Sequence, residues 1–196
     1  MVGRPREFDR DKALDTAVRL FWAQGYDATG TAQLADEMGI GRQSMYCAFG
    51  DKQDLYLEAL SRYTDRQFQR IIDILDGPGT GLERIGKVLD VWIEMAEDPH
   101  PMGCLLANTA IELGTRNPAV ARALATKLER RRRTFLKVLS DTEAEGQLPA
   151  GLSAAEATAL LLHLADGMAV AVRTRGGARE VHTMVTSVRK LFGITG

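Results

Sequence analysis

The sequence predicts an all-α fold, and three observations support that prediction. Apolar residues recur at spacings of three and four along most of the chain, which is the period of an amphipathic helix. No segment alternates apolar and polar residues over the length of a strand between hairpin turns. Residues that favour helix N-termini precede several apolar patterns, as Asp51, Asn117 and Ser153 do.

The first two helices are predicted from apolar spacing and from small residues at their ends. The first carries an apolar stripe and should end at Gly25; the stripe consists of Leu14, Ala17, Val18 and Phe21. The second is expected from Thr31 to Met38, with Gly30 as its N-cap and Gln33 reaching back to the backbone.

A tight turn and a third short helix follow directly. Gly39 and Gly41 flank Ile40, so the backbone can take the positive φ of a sharp turn while one apolar side chain fills the junction. The third helix is predicted over residues 42–49. Two short helices around such a turn are typical of a helix-turn-helix, whose second helix reads a DNA major groove.

The fourth helix marks the end of the first domain. Asp51 should cap it, with Asp54 at position N3, and the Gly-Pro-Gly segment at 77–79 should end it. We therefore expect a DNA-binding domain with its connecting helix at residues 1–76 and a helical regulatory and dimerisation domain at 77–196.

Five further helices are predicted in the second domain. The first two lie at about 82–97 and within 103–114. The third follows Asn117, with Pro118 at N1, and the fourth follows the capping box of Ser153 and Glu156. The fifth carries the apolar stripe that ends at Phe192.

Composition indicates a folded protein of the cytosol. The chain has 196 residues, of which 45% are hydrophobic, which suffices for one or two domains with real cores. The N-terminus has no apolar run after its arginines, and the most apolar segment, 157–172, is interrupted by His163 and Asp166, so we expect no export signal and no membrane span. Two cysteines, Cys47 and Cys104, should remain reduced.

The sequence offers little for catalysis or metal binding. There is no CxxC motif and no glycine-rich phosphate loop, and the three histidines stand on separate segments. We expect no enzyme, no metal and no cofactor. The net charge of −1 does not itself favour DNA, although four basic residues crowd the N-terminus: Arg4, Arg6, Arg10 and Lys12. Arg42 and Lys52 stand at the starts of the expected recognition helix and of the next helix. The run Arg130–Arg133 is interpreted as a solvated helix face.

Residues 9 to 60 resemble the TetR family of one-component bacterial regulators. The helix lengths, the pair Tyr46 and Phe49, and Lys52 all stand at the family's offsets. Gly30 departs from the family's usual Ser or Thr cap, and Cys47 within the recognition helix is a second departure. The resemblance implies a homodimeric repressor that binds a palindromic double-stranded DNA operator and leaves it when a small molecule binds.

The DNA-binding residues are predicted from the recognition helix and its flanks. Arg42 and Gln43 can bind guanine and adenine in two-point fashion, and Ser44 stands beside them; Arg42 contacting phosphate is the alternative. The resemblance implies phosphate contacts by Tyr46 and Lys52. Thr31 is a further candidate. Arg4 and Arg6 are two more, and the alternatives for their segment are a minor-groove arm and a solvated tail.

The effector and dimer sites are predicted on the second domain. Effector candidates, each also compatible with an ordinary core position, are Trp92, Met95, Met102, Cys104, Asn108, Ile111 and His163. The last two helices carry more apolar surface than one subunit can cover, which predicts a four-helix bundle between subunits. The interface candidates are Leu164, Met168, Val172, Val181, Val185 and Val188.

Two alternative functions remain open. Cys104 begins a predicted helix, and the segment 103–114 is similar to one in a TetR subgroup in which a cysteine in the matching place senses electrophiles; the alternative is a packing role for this thiol. The other is an all-α module whose first three helices bind proteins rather than DNA.

Overall fold

The predicted fold class is confirmed by a computed structural model that describes residues 8–99, 102–174 and 176–194. Within these ranges the chain forms nine α-helices and no strand. They are α1 (Arg10–Gln24), α2 (Thr31–Glu37), α3 (Arg42–Phe49), α4 (Lys52–Leu75), α5 (Gly81–Ala96), α6 (Leu105–Leu113), α7 (Pro118–Ala144), α8 (Ala154–Ala171) and α9 (Gly177–Phe192). Arg4 and Arg6 lie outside the described residues.

The predicted turn between α2 and α3 forms as expected. Gly39 has a φ of +68°, and Ile40 packs against the core of the helix-turn-helix. The second helix ends at Glu37 with Met38 as its C-cap, one residue earlier than predicted. Gly30 is the N-cap, but no side chain caps it, so the expected back-bond of Gln33 does not form.

Side-chain caps fix the starts of the longer helices. Asn117 accepts hydrogen bonds from the backbone N–H groups of Ala119 and Val120, with Pro118 at N1. Reciprocal capping boxes open α4, α5 and α8; their members are Asp51 with Asp54, Thr80 with Glu83, and Ser153 with Glu156. The start of α5 is therefore set by a capping box that the sequence-based boundary at Leu82 missed.

The core of the helix-turn-helix extends into the second half of the chain. Phe21, Met45 and Tyr56 are fully buried at its centre, and they share one apolar cluster with Leu113 of α6 and Val120 of α7. The two helices of the regulatory half thus complete the core beneath α1 and α4. The orientation of the DNA-binding helices depends on where α6 and α7 lie.

The second core lies between α4, α5, α7, α8 and α9, and it changes the interpretation of the last two helices. Four predicted dimer residues, Met168, Val181, Val185 and Val188, are each buried within this core. The interface prediction was wrong for these four, because a side chain covered by its own subunit has no surface left for a partner. Helical spacing identified an apolar face but not what covers it.

Of the described helices, α8 alone has the length and composition of a membrane span, contrary to the expectation from its interruptions. Ala154, Ala157 and Leu161 on its inner face pack in the second core. The core helix of a soluble protein meets the same criteria, so length and composition alone do not assign α8 to a membrane.

Candidate DNA interface and ligand cavity

The outer face of α3 presents the predicted DNA-binding side chains. Arg42, Gln43 and Ser44 in its first turn are exposed, and Tyr46 is 45% exposed despite its large apolar ring. Met45 on the opposite face is buried, as expected for a core residue. The helix therefore offers polar side chains at the end that helix-turn-helix proteins insert into a groove.

Arg10 fixes the far end of α3. Its guanidinium pairs with both carboxylate oxygens of Glu58 at 2.6 and 2.8 Å, and it donates to the carbonyl of Ala48 at 3.3 Å. It also lies 4.5 Å from the centre of the Phe49 ring. The hydrogen bond to Glu58 raises the pKa of Arg10 above its usual value. This arginine, counted in the basic N-terminus, is thus held by α3 and α4.

Lys52 and Thr31 flank the recognition helix. The Lys52 ammonium lies 4.3 Å from the centre of the Tyr26 ring, which holds this long side chain at the start of α4. Thr31 is half-buried at the first position of α2. Lys52 opens the helix that follows α3, and Thr31 opens the helix that precedes it.

A cavity of about 270 Å³ lies among α1, α4, α5, α7, α8 and the segment that opens α6. Four of the predicted effector residues line it: Trp92, Met95, Met102 and Cys104. Sequence reasoning missed other lining residues, which include Trp22, Tyr63, Phe68, Arg131, Phe135 and Asp166. Val172 and Met168, assigned to the dimer interface, also line it.

Three predicted effector residues do not line this cavity. Ile111 is 76% exposed, because Leu105, Thr109 and Leu113 occupy the inner face of α6. Asn108 donates instead to the carbonyl of Met102 at 3.3 Å. The assignment of Ile111 was wrong because apolar character alone did not fix which way α6 faces, and Asn108 is absent from the cavity wall.

His163 is also absent from the cavity wall. It is exposed on α8, with its Nδ1 2.6 Å from the carbonyl oxygen of Ala159 in the preceding turn. Asp166, three residues further along α8, pairs with Arg131.

Arg131 overturns the interpretation of residues 130–133 as a wholly solvated face. Its side chain is only 13% exposed, and it forms a two-point pair with Asp166 at 2.7 and 2.8 Å. The signal was present in the sequence: Arg131 stands three residues after Leu128 and four before Phe135, which places it on the inner spine of α7.

Cys104 and Tyr63 meet at the cavity. Burial raises the pKa of Tyr63 well above its usual range, and interaction with the Cys104 thiol adds to this effect, so the phenol stays neutral. Cys104 is half-buried as the N-cap of α6, whereas Cys47 is exposed on α3.

Helix α6, which begins at the cavity, also holds the turn between α1 and α2 in the DNA-binding domain. Glu112 of α6 accepts hydrogen bonds from the backbone N–H groups of Tyr26 at 2.9 Å and Asp27 at 2.7 Å. Gly25 permits this approach, because it has a φ of +83° and a Cβ there would lie 2.7 Å from the Glu112 carboxylate. Arg116 pairs with Asp27 at 2.9 Å.

Two further hydrogen bonds join the same segments. Trp22 on α1 donates its indole N–H to the carbonyl of Gly103 at 3.1 Å. The hydroxyls of Tyr56 and Thr109 lie 2.8 Å apart in the buried interior, and burial raises the pKa of Tyr56 to about 12. Helix α6 therefore forms part of the cavity wall and also supports the DNA-binding helices.

Removing the Glu112 carboxylate should loosen the turn between α1 and α2. In Glu112→Ala, the amides of Tyr26 and Asp27 lose a charged acceptor worth ~1.5–3 kcal/mol, so their hydrogen exchange should rise about tenfold or more. Exchange measured by NMR or mass spectrometry checks this, with Glu145→Ala, an exposed glutamate at the end of α7, as the control. Unchanged exchange at both amides would mean that Glu112 does not hold the turn.

Sequence comparisons agree with this geometry. Residues 13–59 match the family model described as "Bacterial regulatory proteins, tetR family", and residues 81–188 match that of a "Tetracyclin repressor-like, C-terminal domain". The chain belongs to the TetR family. The resemblance inferred from residues 9 to 60 is confirmed, and the matches extend TetR membership to the second half of the chain. The protein is a TetR-type transcriptional regulator.

Individual TetR relatives match over most of the chain. The HTH-type transcriptional repressor ComR of Escherichia coli is 29% identical over 194 residues, which cover 97% of this chain and 91% of ComR. An uncharacterised regulator of Bacillus subtilis, YezE, is 30% identical over 75% of this chain and 76% of its own length. Among solved structures, a cysteine mutant of the TetR regulator CifR in complex with 26-base-pair operator DNA has a TM-score of 0.82 and 28% identity, covering 99% of this chain and all of CifR.

Among the residues with described positions, no three His, Cys, Asp or Glu side chains are grouped so that they could hold a metal ion.

Proposed function

We propose that this TetR-family protein is a cytoplasmic, homodimeric repressor that binds a palindromic operator and leaves it when a small molecule enters the cavity. The observation that carries the proposal is the double role of α6, which opens at the cavity and holds the α1–α2 turn through Glu112. A ligand that displaces the start of α6 would move the support of the recognition helix, so binding and release are coupled. No catalytic step enters this proposal.

DNA recognition is assigned to α3 and its flanks. Arg42 and Gln43 read base edges, Ser44 assists them, and Tyr46, Lys52 and Thr31 bind phosphates. Two observations support this assignment: the first turn of α3 is exposed, and Arg10, paired with Glu58, fixes the C-terminal end of α3. The operator complex of the similar regulator CifR supports the same mode of binding.

The dimer surface is assigned to the outward faces of α8 and α9. On α8, exposed residues at spacings of three and four form a face of mostly small, apolar residues; they are Ala155, Ala159, Gly167 and Val170, with the polar His163 among them. Leu164, which the sequence also assigned to the interface, is half-buried beside this face. On α9, Leu191 is 55% exposed. Exposed apolar side chains on two adjacent helices fit a self-complementary two-fold interface.

We place the boundary between DNA-binding and regulatory domains after residue 76. The α4–α5 connection at 77–79 supports this division, although the core of the first domain draws on Leu113 and Val120.

Salt-dependent binding to duplex DNA tests this function against the alternative of a protein-interaction module. A phosphate-binding regulator should lose affinity linearly on a log–log scale as salt rises, with a slope of about −0.9 per phosphate neutralised. A slope near zero, or no binding to any genomic duplex, would favour the interaction module.

A thiol-sensing repressor is the second candidate, because Cys104 lines the same cavity as the proposed effector site. Covalent modification would add bulk where the ligand is expected to bind. An electrophile should then release operator from wild type and Cys47→Ser but not from Cys104→Ser.

Cys47 supplies the necessary control, since it is exposed on the recognition helix and its modification could block DNA directly. Release is measured by operator titration before and after treatment. If Cys104→Ser is released as readily as wild type while Cys47→Ser is protected, the effect is local to α3 and Cys104 is a packing residue.

A further inference from the structure

We propose that the cavity selects a neutral, mainly apolar molecule that carries one hydrogen-bond acceptor oxygen, and that the Nε–H of Arg131 donates to that oxygen. The inference rests on the proposed function only in taking this cavity as the effector site. It adds the chemical class of the effector and the residue that recognises it.

The cavity wall favours an apolar body. Five aromatic residues line it, namely Trp22, Tyr63, Phe68, Trp92 and Phe135, and three methionines add adaptable surface. A volume of about 270 Å³ stands at the lower end of small-molecule sites. A compact substituted ring suits this space better than a long chain.

Arg131 supplies a donor that the described residues leave unused. Its two terminal nitrogens are bound to Asp166 at 2.7 and 2.8 Å. Its Nε is buried and has no hydrogen-bond partner among the described residues. A buried donor without an acceptor is destabilising, and Arg131 lines the cavity, so a ligand oxygen that reaches Nε from there would relieve that cost on binding.

The ion pair between Arg131 and Asp166 determines which ligand charge the cavity favours. Asp166 already neutralises the guanidinium, so an anionic ligand would have to compete with a carboxylate held by two hydrogen bonds. A cationic ligand would face Arg131 and still leave its Nε without an acceptor. A ketone, amide, ether or alcohol oxygen satisfies Nε without adding charge.

Four molecules of similar shape separate these possibilities. They are para-tert-butylacetophenone, with a neutral acceptor; para-tert-butylethylbenzene, with none; para-tert-butylbenzoate, an anion; and para-tert-butylbenzylammonium, a cation. The two tryptophans of the chain, Trp22 and Trp92, both line the cavity, so quenching of tryptophan fluorescence reports binding directly, and calorimetry gives the affinities. The measurement needs no operator DNA.

The ketone should bind the wild-type protein at least about tenfold more tightly than each of the other three molecules. In Arg131→Lys, a positive charge remains opposite Asp166 but the Nε donor is gone, so the ketone and the hydrocarbon should bind within about twofold of each other. Glu145→Ala, at the exposed end of α7, is the control and should leave all four affinities unchanged.

A second variant keeps the proposal testable if Arg131→Lys fails to fold. Asp166→Asn removes the competing carboxylate at nearly constant volume, so the benzoate should gain about tenfold relative to the ketone.

The proposal is overturned if the benzoate or the ammonium binds wild type as tightly as the ketone, if none of the four binds, or if Arg131→Lys retains the full ketone preference. Regulation is tested separately by operator titration. If the ketone binds but does not release the operator, the proposed ligand class stands, whereas the proposed release by an effector fails.

Discussion

Val170→Glu is expected to convert the dimer into a folded monomer that no longer binds operator. Val170 is 50% exposed on α8, so the glutamate does not disturb the core of its own subunit. A two-fold interface buries the same residue of both subunits, so the substitution places two carboxylates in the apolar contact. Each buried, unpaired charge costs several kcal/mol, and operator affinity should fall at least a hundredfold.

Sedimentation and operator titration measure this effect together. The mass should fall to that of one chain, 21.5 kDa, while the helical circular dichroism and cooperative melting persist. Ile111→Glu, which charges the more exposed Ile111 side chain on α6, is the matched control and should remain a dimer. A monomeric wild type at micromolar concentration, or a Val170→Glu dimer with full affinity, would contradict the assigned interface.

Gln43→Ala is expected to cost ~1–3 kcal/mol of operator binding, and the loss should be confined to one base pair of each half-site. Lys52→Ala should instead weaken binding to operator and random duplex alike, and it should reduce the salt slope by about one for each phosphate that Lys52 neutralises in the wild type. The difference follows from what each side chain touches, since only a base edge differs between sequences.

Titrations of both variants against the operator, its single-base variants and a random duplex provide the measurement. Glu145→Ala, at the exposed end of α7, serves as the control and should leave both affinities unchanged. Equal losses on operator and random duplex for Gln43→Ala would show that Gln43 does not read sequence.

Features set by local sequence were the most predictable part of this fold. The caps at Asp51, Asn117 and Ser153 formed as expected, because the side chain and the amides it binds lie within three residues of each other. The glycine turn before α3 is local in the same sense. The exposure of Arg42 and Gln43 followed from the same short segment.

Features set by packing between distant helices were not predictable from one sequence. Spacing identified the apolar face of α9, but whether Val185 packs inside the subunit or against a partner depends on where α5 and α8 lie. Arg131 was missed for a related reason: a run of four arginines must place one on the inner spine, and only the distant Asp166 explains how it is accommodated there. Glu112 gave no sequence signal, since its partners are backbone amides more than eighty residues away.

Selection of binding sites from a library of random duplexes tests the central claim most directly, because it requires both a reading helix and a two-fold dimer. The selected sequences should share an inverted repeat whose half-site centres lie about one helical turn, ~34–36 Å, or a multiple of it apart. Val170→Glu should select no such repeat. Enrichment of single half-sites by the wild-type protein, or of no common sequence, would contradict a dimeric repressor that reads DNA through α3.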